Sequence, residues 1–315
     1  MKAIDLFSGC GGLSLGLEQE GVQILCAYEN WSAAIECYQA NFTHPVRDID
    51  LTEHEQVVAD VISSFGDGQV DMVVGGPPCQ DFSHAGLRNE GERANLTLAF
   101  AKVVAALNSD WFIMENVDRA QKSIAYQQAR EEMIASGYGL TEIVLDASLC
   151  GVPQKRKRFF VIGKRGEANG FLLNQLIEGL ADKPMTVRDY LGDSLGVDHY
   201  YRHPRNYNRR GIFSIDEPAP TIRGVNRPVP SGYKGHGGDT APINGELRPL
   251  TTKERSRIQT FPEQFRLTGS KTAQEQMIGN AVPVNLAAYV ARAVLDYRRS
   301  DAPPEFELVS ESCYA

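Results

Sequence analysis

Short apolar runs that stop at glycine or at an acidic residue alternate with longer amphipathic stretches along the first half of this chain. That is the pattern of strands feeding helices in an α/β sheet. Ala3 to Phe7 reads as a strand, followed by the turn Ser8-Gly-Cys-Gly-Gly12 and a helical spacing of Leu13, Leu15 and Leu17. Val22 to Tyr28 is a second strand, Val46 to Ile49 a short extended segment, and Val70 to Val74 a buried β-branched strand cut off by Gly75-Gly-Pro-Pro78. Leu96 to Leu107 has the apolar stripe of a helix, Trp111 to Val117 is an apolar strand, Ser123 to Ser136 is helical, and Leu140 to Ala147 is again extended. Thr251, in the stretch from Leu250 to Pro262, is of the helix-capping type, and Gly279-Asn-Ala-Val-Pro283 opens a last helix running from Val284 to about Tyr297. Between about Gly166 and Gly245 the periodicity fades and Gly, Pro, Arg, Asn and Tyr take over, as in a small loop-rich unit.

Composition narrows the class. With 315 residues, 42% hydrophobic and 23% charged, the chain has the make-up of a soluble globular protein with one large domain and a small one. No apolar run approaches the ~18 residues of a membrane span. The chain passes from Met1 straight into a strand, and its six cysteines form no C-x-x-C pair, so no signal peptide, metal site or disulfide framework is expected and a reducing, cytoplasmic setting is.

Charge changes the picture further. The net charge is −8, yet residues 1–150 carry −14 and residues 151–260 carry +8. A basic middle third predicts a surface for a polyanion, and Tyr200-Tyr-Arg-His-Pro-Arg-Asn-Tyr-Asn-Arg-Arg-Gly211 interleaves aromatics and cations as nucleic-acid surfaces do.

The candidate chemistry sits at strand ends. Cys79, just past the stiff Pro77-Pro78 turn, is a candidate nucleophile. Glu115 follows Ile-Met at the end of an apolar strand, where partial desolvation readies it to hold a proton. Gln154, Arg156 and Arg158 alternate along an extended stretch, which puts them on one face with the two arginines side by side to hold a carboxylate or base carbonyl. Gly9, Gly11 and Gly12 make a glycine turn but not G-x-G-x-x-G, so a nicotinamide dehydrogenase is improbable. Glu29 suits a ribose diol, Trp31 offers a face to an adenine ring, and Asp48 could accept from an exocyclic amine. Three nucleoside contacts without a phosphate cradle favour S-adenosylmethionine (AdoMet) over NAD.

Six blocks in this order resemble the DNA cytosine-C5 methyltransferase family, from Asp5 to about Arg298. They are Asp5-Leu-Phe-Ser-Gly-Cys-Gly-Gly12, Gly76-Pro-Pro-Cys-Gln80 with Phe82-Ser83, Glu115-Asn-Val117, Gln154-x-Arg156-x-Arg158, Arg248-Pro-Leu-Thr with Glu254 and Phe261-Pro262, and Gly279-Asn-Ala-Val-Pro283. The resemblance implies a Rossmann-like AdoMet-dependent methyltransferase sheet with helices on both faces, over residues 1–165 completed by 275–300. It also implies a target-recognition domain and hinge over 166–274, with 301–315 a polar tail. It implies a flipped-out cytosine, Cys79 adding to C6, Glu115 engaging N3 and the amine, and Arg158, supported by Arg156, binding O2. Cofactor contacts are implied from Phe7, Gly9, Gly11, Glu29, Trp31, Asp48, Ile49, Pro78 and Asn280, with S-adenosylhomocysteine (AdoHcy) as product and no metal. Expected DNA-binding residues are Gln80, Ser83, Arg209, Arg210, Thr221, Ile222, Arg223 and Arg227. The partner is double-stranded DNA, the enzyme is expected to work as a monomer in a bacterial or phage setting, and a restriction endonuclease acting on the same site is a candidate companion. Asp81 departs from the family pattern and is expected to point away from Cys79. Two rivals stay open: a tRNA cytosine-C5 methyltransferase of the same fold, and a catalytically silent DNA-binding relative.

Overall fold

The structure is a computed structural model that describes residues 1–78, 95–204, 206, 208–243 and 246–301. Seven strands form the central sheet: β1 (Lys2–Leu6), β2 (Gln23–Glu29), β3 (Val46–Asp48), β4 (Met72–Gly75), β5 (Trp111–Val117), β6 (Tyr138–Asp146) and β8 (Lys157–Arg165), in the order β3-β2-β1-β4-β5-β8-β6. The first five are mutually parallel, while β8 runs antiparallel to both β5 and β6.

Alternation along the strands assigns the two faces. Ala3, Met72, Val74, Trp111 and Ile113 point to one core, and Ile4, Val73, Phe112 and Met114 point to the other. On the first face pack α1 (Gly12–Gln19), α6 (Leu173–Glu178) and α10 (Val284–Asp301), through Leu13, Leu17, Leu176, Leu286 and Val290. On the second pack α3 (His54–Phe65), α4 (Asn95–Leu107) and α5 (Ile124–Ala135), through Val57, Val61, Phe100, Val104, Ala129 and Met133. Burial on both faces is why these strands read as continuous apolar runs. α1 lies hard against the start of α10: a Cβ on Gly12 would stand 2.3 Å from the Val282 carbonyl oxygen, and one on Gly16 2.4 Å from that of Val284. Both positions therefore need glycine.

A second, smaller core gathers Val187 and Leu191 of α7 (Val187–Leu191), Tyr200 of β9 (His199–Tyr201), Phe213 of β10 (Ile212–Ser214), and Ala219, Ile222, Leu250, Ile258 and Ile278. Two of these lie on later helices, Ile258 on α8 (Thr252–Ile258) and Ile278 on α9 (Lys271–Asn280). Leu172 and Leu176 belong to the large core, so the chain beyond residue 166 still serves the main sheet before it enters the small one. Phe261 and Phe265 pack with Cys10, Ala34 and Cys37 beside α2 (Ser32–Gln39), which returns the chain to the large unit well before residue 275.

Most expected elements form with ends shifted by one or two residues. Thr251 caps α8 in a full capping box with Glu254. Helix α9 has no apolar stripe strong enough to announce it; its signals are the Ser270 cap and the helix formers that follow. The span Lys271–Ser300 contains a window long and apolar enough to cross a membrane, contrary to the reading of the bare sequence, but 67% of it is buried inside the fold. Its apolar surface faces α1 and the sheet.

Candidate active site

The strand order reverses at β1, whose neighbours are β2 on one side and β4 on the other. Open α/β sheets leave a crevice beyond the carboxyl ends of the strands at such a switch point. A cavity of about 430 Å³ lies there, lined from the ends of five consecutive parallel strands: Phe7 to Cys10 after β1, Glu29 to Trp31 after β2, Asp50 and Leu51 after β3, Gly76 to Pro78 after β4, and Glu115 to Val117 on β5. Arg158 of β8 and residues 279–282 close the remaining side.

The turn after β1 is held in an uncommon conformation. Phe7 takes φ 60°, Gly9 φ 55° and Gly11 φ 92°. A Cβ at Gly9 would meet nothing within 4 Å, so backbone conformation alone calls for glycine there. Glu29 fastens the turn to β2: one carboxylate oxygen accepts from the Gly9 amide at 2.8 Å, and the other from the Asn30 and Trp31 amides at 2.9 Å each. Beneath the turn Asp5 is wholly buried and accepts from the Ser14 hydroxyl. That hydroxyl meets Tyr38 Oη at 2.7 Å, which in turn meets His44 Nε2 at 2.7 Å, and His44 Nδ1 lies 3.2 Å from Glu18.

Burial pushes the Asp5 carboxyl up to about 7, against the pull of the Ser14 hydrogen bond and with help from the Glu29 charge. An unfolded chain would titrate it near an ordinary carboxylate value of about 3.9. Between those values the folded protein holds a proton that the unfolded chain has lost, so this group makes stability fall as pH rises from about 4 to 7. Asp5→Asn should flatten that slope, recovering on the order of 2–4 kcal/mol at neutral pH relative to the wild-type trend. Urea melts at pH 5 and 7.5 check this; parallel slopes in both proteins would exclude it.

Glu115 lies on the cavity wall, 7% exposed, and its Oε1 is 2.7 Å from Nε of Arg158. The contact is an ion pair, and among the described residues no well-aligned hydrogen bond reaches the buried Oε1. Burial raises the Glu115 pKa, and the charges of Arg158 and Arg156 pull it back only in part. A Cβ on Gly76 would come within 3.2 Å of Glu115 Oε2, so glycine keeps space open beside the carboxyl. Asn116 braces the turn, donating to the Pro77 carbonyl at 3.0 Å.

The cavity brings Phe7, Gly9, Glu29, Trp31, Pro78, Glu115, Arg158 and Asn280 together. It does not take in Gly11, Asp48, Ile49 or Arg156. Gly11 caps α1, and a Cβ there would strike the Phe42 ring at 2.3 Å. Asp48 ends β3 and is exposed, and Ile49 packs on the second-face core. Two residues further along, Asp50 and Leu51 repeat the acidic-apolar pair and line the cavity instead. The repeat itself was the available signal; where β3 stops decides which copy faces in. Asp50 Oδ1 accepts from both the amide and the hydroxyl of Thr52.

Gln154 and Arg156 do share an inward face with Arg158, and Lys155 and Lys157 are exposed opposite them. The two arginines nevertheless do not hold one ligand together. Arg156 is 1% exposed and donates to the carbonyls of Ile222, Gly279 and Ala281, each at 3.0 Å. Among the expected DNA contacts, Arg209 and Arg227 are exposed. Arg210 is engaged by Glu217 and stacks on Phe213, the Thr221 hydroxyl donates to the Lys155 carbonyl, Ile222 is buried in the small core, and Arg223 donates to the His203 carbonyl. Cys79, Gln80, Asp81 and Ser83 lie outside the described residues.

The residues present fit an adenosine-bearing cofactor: a carboxylate and an indole after β2, a second carboxylate after β3, and a glycine turn whose strained backbone leaves open space. Among the described residues no group of His, Cys, Asp and Glu could hold a metal ion. The sequence pattern of the C-5 cytosine-specific DNA methylases matches residues 1–296. The chain belongs to that family. It is 55% identical over 301 residues to the Type II methyltransferase M.HindV of Haemophilus influenzae, covering 95% of this chain and 98% of the relative. It is also 55% identical over 298 residues to M.HgiDI of Herpetosiphon aurantiacus, covering 94% and 95%. Among solved structures it resembles that of S. pombe Dnmt2, with a TM-score of 0.67 at 17% identity over 94% of this chain and 98% of the other, a likeness of fold. The methyltransferase is thus a DNA cytosine-5 enzyme of an AdoMet-dependent family.

Proposed function

We propose that this methyltransferase methylates C5 of a cytosine flipped out of a specific double-stranded DNA site, through a covalent bond between Cys79 and C6. The observation that supports the reading best is the buried Glu115–Arg158 pair on the wall of the same cavity that carries Glu29 and Trp31. A base inside a duplex cannot reach such a recess, which supports flipping of the target cytosine. Glu115, its proton favoured by burial, donates to N3 of the cytosine and accepts from the exocyclic amine. Arg158 stands over O2 and stabilises the charge that develops there when the Cys79 thiolate adds to C6. AdoMet supplies the electrophilic methyl group. Loss of the C5 proton then expels the Cys79 thiolate and restores the ring.

For the cofactor, Glu29 is assigned to the ribose, Trp31 to the adenine face and Asp50, rather than Asp48, to the adenine amine. Asp50→Ala should weaken AdoHcy binding about 10-fold, the worth of a charge-assisted hydrogen bond, and Asp48→Ala should leave it within twofold. Calorimetric titration of both variants decides the assignment; the reverse ranking would restore Asp48.

The reading itself is tested by transfer of labelled methyl from AdoMet to unmodified genomic DNA and to bulk tRNA. Label on DNA, mapped by bisulfite sequencing to one cytosine in a recurring site, is the expected outcome. Label on tRNA alone would move the substrate to RNA. DNA binding without label on either would make the chain a silent relative.

A further inference from the structure

Neither Gln154 nor Arg156 of the Gln-x-Arg-x-Arg block takes part in the proposed chemistry, and Arg156 is the one that carries a charge. A buried guanidinium is costly to desolvate and is kept only where fixed polar partners surround it. Here its hydrogen-bond partners among the described residues are three backbone carbonyls from two distant parts of the chain. Ile222 lies in the segment that leads into the exposed Arg227. Gly279 and Ala281 lie on the cavity wall on either side of Asn280.

The surroundings reinforce the bridge. The Gln154 side chain accepts from the Ile222 amide at 2.8 Å and donates to Gln259 Oε1 at 2.7 Å, and Gln259 donates in turn to the Ala281 carbonyl at 3.1 Å. β11 (Ala219–Pro220) pairs with β7 (Gln154–Lys155), and the Thr221 hydroxyl donates to the Lys155 carbonyl at 2.7 Å. Gly279 is pressed so closely on this segment that a Cβ would stand 2.2 Å from the Gly224 amide nitrogen. Residues 219–224 and the cofactor wall 279–281 are therefore one hydrogen-bonded unit, and Arg156 is the side chain that bonds to both halves directly.

We propose that Arg156 is a positioning residue that couples DNA engagement by the 219–227 segment to cofactor affinity at the 279–281 wall, a role that rests on the DNA-methylating function proposed above. DNA that shifts or stiffens the Ile222 backbone alters how Arg156 holds the Gly279 and Ala281 carbonyls, and with them Asn280. The cofactor then binds the DNA-bound enzyme more tightly than the free one, and by linkage the reverse holds too. Lysine keeps the charge but lacks the fork needed to reach carbonyls on two segments at once.

The test uses AdoHcy, which cannot turn over, and a duplex carrying the site identified by bisulfite sequencing. The AdoHcy Kd is measured with and without saturating duplex. A ratio of at least 5 is expected for the wild type, in the usual range of coupling between sites. Arg156→Lys should bring the ratio below 2 while changing the DNA-free Kd less than threefold. A wild-type ratio near 1 overturns the proposal, as does a wild-type ratio retained by Arg156→Lys. Equal weakening of AdoHcy with and without DNA also overturns it, since that marks a purely structural role. If Arg156→Lys does not fold, Thr221→Val removes only the hydroxyl bond to β7; a reduced ratio supports the coupling and an unchanged one overturns it. A wild type that binds no duplex refutes the DNA-methylating function instead, a result distinct from all of these.

Discussion

Cys79→Ser should reduce methyl transfer at least ~10⁴-fold while leaving AdoHcy and duplex binding within a few-fold of wild type. A thiol with an ordinary pKa of about 8.5 is a few per cent thiolate at neutral pH and is intrinsically a strong nucleophile, whereas a serine hydroxyl is not ionised there at all. Addition to C6 is the step that turns C5 into a nucleophile, so without it the methyl group meets an unactivated aromatic carbon. The electron pair of the C5–C6 bond has no other route to C5 in this site. A duplex with fluorine at C5 of the target cytosine gives a direct readout. With AdoMet present, methyl transfer to C5 leaves fluorine where the proton would be lost, so the methylated adduct cannot eliminate and a covalent protein–DNA band should survive denaturing electrophoresis. The wild type should form that band and Cys79→Ser should not. A serine variant with a tenth of wild-type activity would end the covalent reading, whatever the family resemblance.

Glu115→Gln is expected to lower kcat about 10²–10⁴-fold, the range for loss of a positioned acid–base group, with little change in the affinity for AdoHcy. Glutamine matches the carboxyl in shape and can still bond to a base edge, but it carries no transferable proton and no charge to balance Arg158 at 2.7 Å. Burial raises the Glu115 pKa in the folded enzyme. Its protonated fraction therefore falls as pH rises through that raised value, and wild-type kcat should decline on the alkaline side. The glutamine variant should have lost that limb, leaving a profile governed by the Cys79 thiol alone, which rises with pH. A pH–rate profile for both enzymes distinguishes this from a simple packing defect, which would lower rates uniformly and keep the alkaline decline.

Asp5 and Glu115 are both buried carboxyls at strand ends and both are pushed up by burial. Asp5 faces a hydrogen-bonded chain of Ser14, Tyr38 and His44 under the glycine turn, so its titration belongs to stability. Glu115 faces the cavity, and its titration belongs to the reaction.

Much of this was legible in the linear order of residues. Short continuous apolar runs alternating with amphipathic stretches announced an α/β sheet covered on each side, because every strand side chain of that sheet has to enter one core or the other. The abrupt stops at Gly9, Glu29, Gly76 and Glu115 marked strand ends, and in an open sheet the strand ends at the switch point are where a ligand lies. Residue chemistry at those stops pointed to an adenosine cofactor, and the six blocks in family order added the pyrimidine chemistry.

What the sequence could not decide is which of two equivalent residues faces inward. Asp48 and Asp50 offer the same pair of acid and apolar neighbour and are both exposed, and only the length of β3 and the path of the turn after it leave one off the cavity and put the other on its rim. Arg156 and Arg158 share a face and a charge. Their separation into a backbone clamp and a site residue depends on segments 66 and 123 residues away arriving beside Arg156, contacts that no local pattern encodes. Ile222 and Arg210 likewise look available for DNA until the small core and Glu217 claim them. Local periodicity determines the elements and the end of the sheet at which chemistry happens; long-range packing, which fills space without regard to sequence distance, determines which side chains are left to do it.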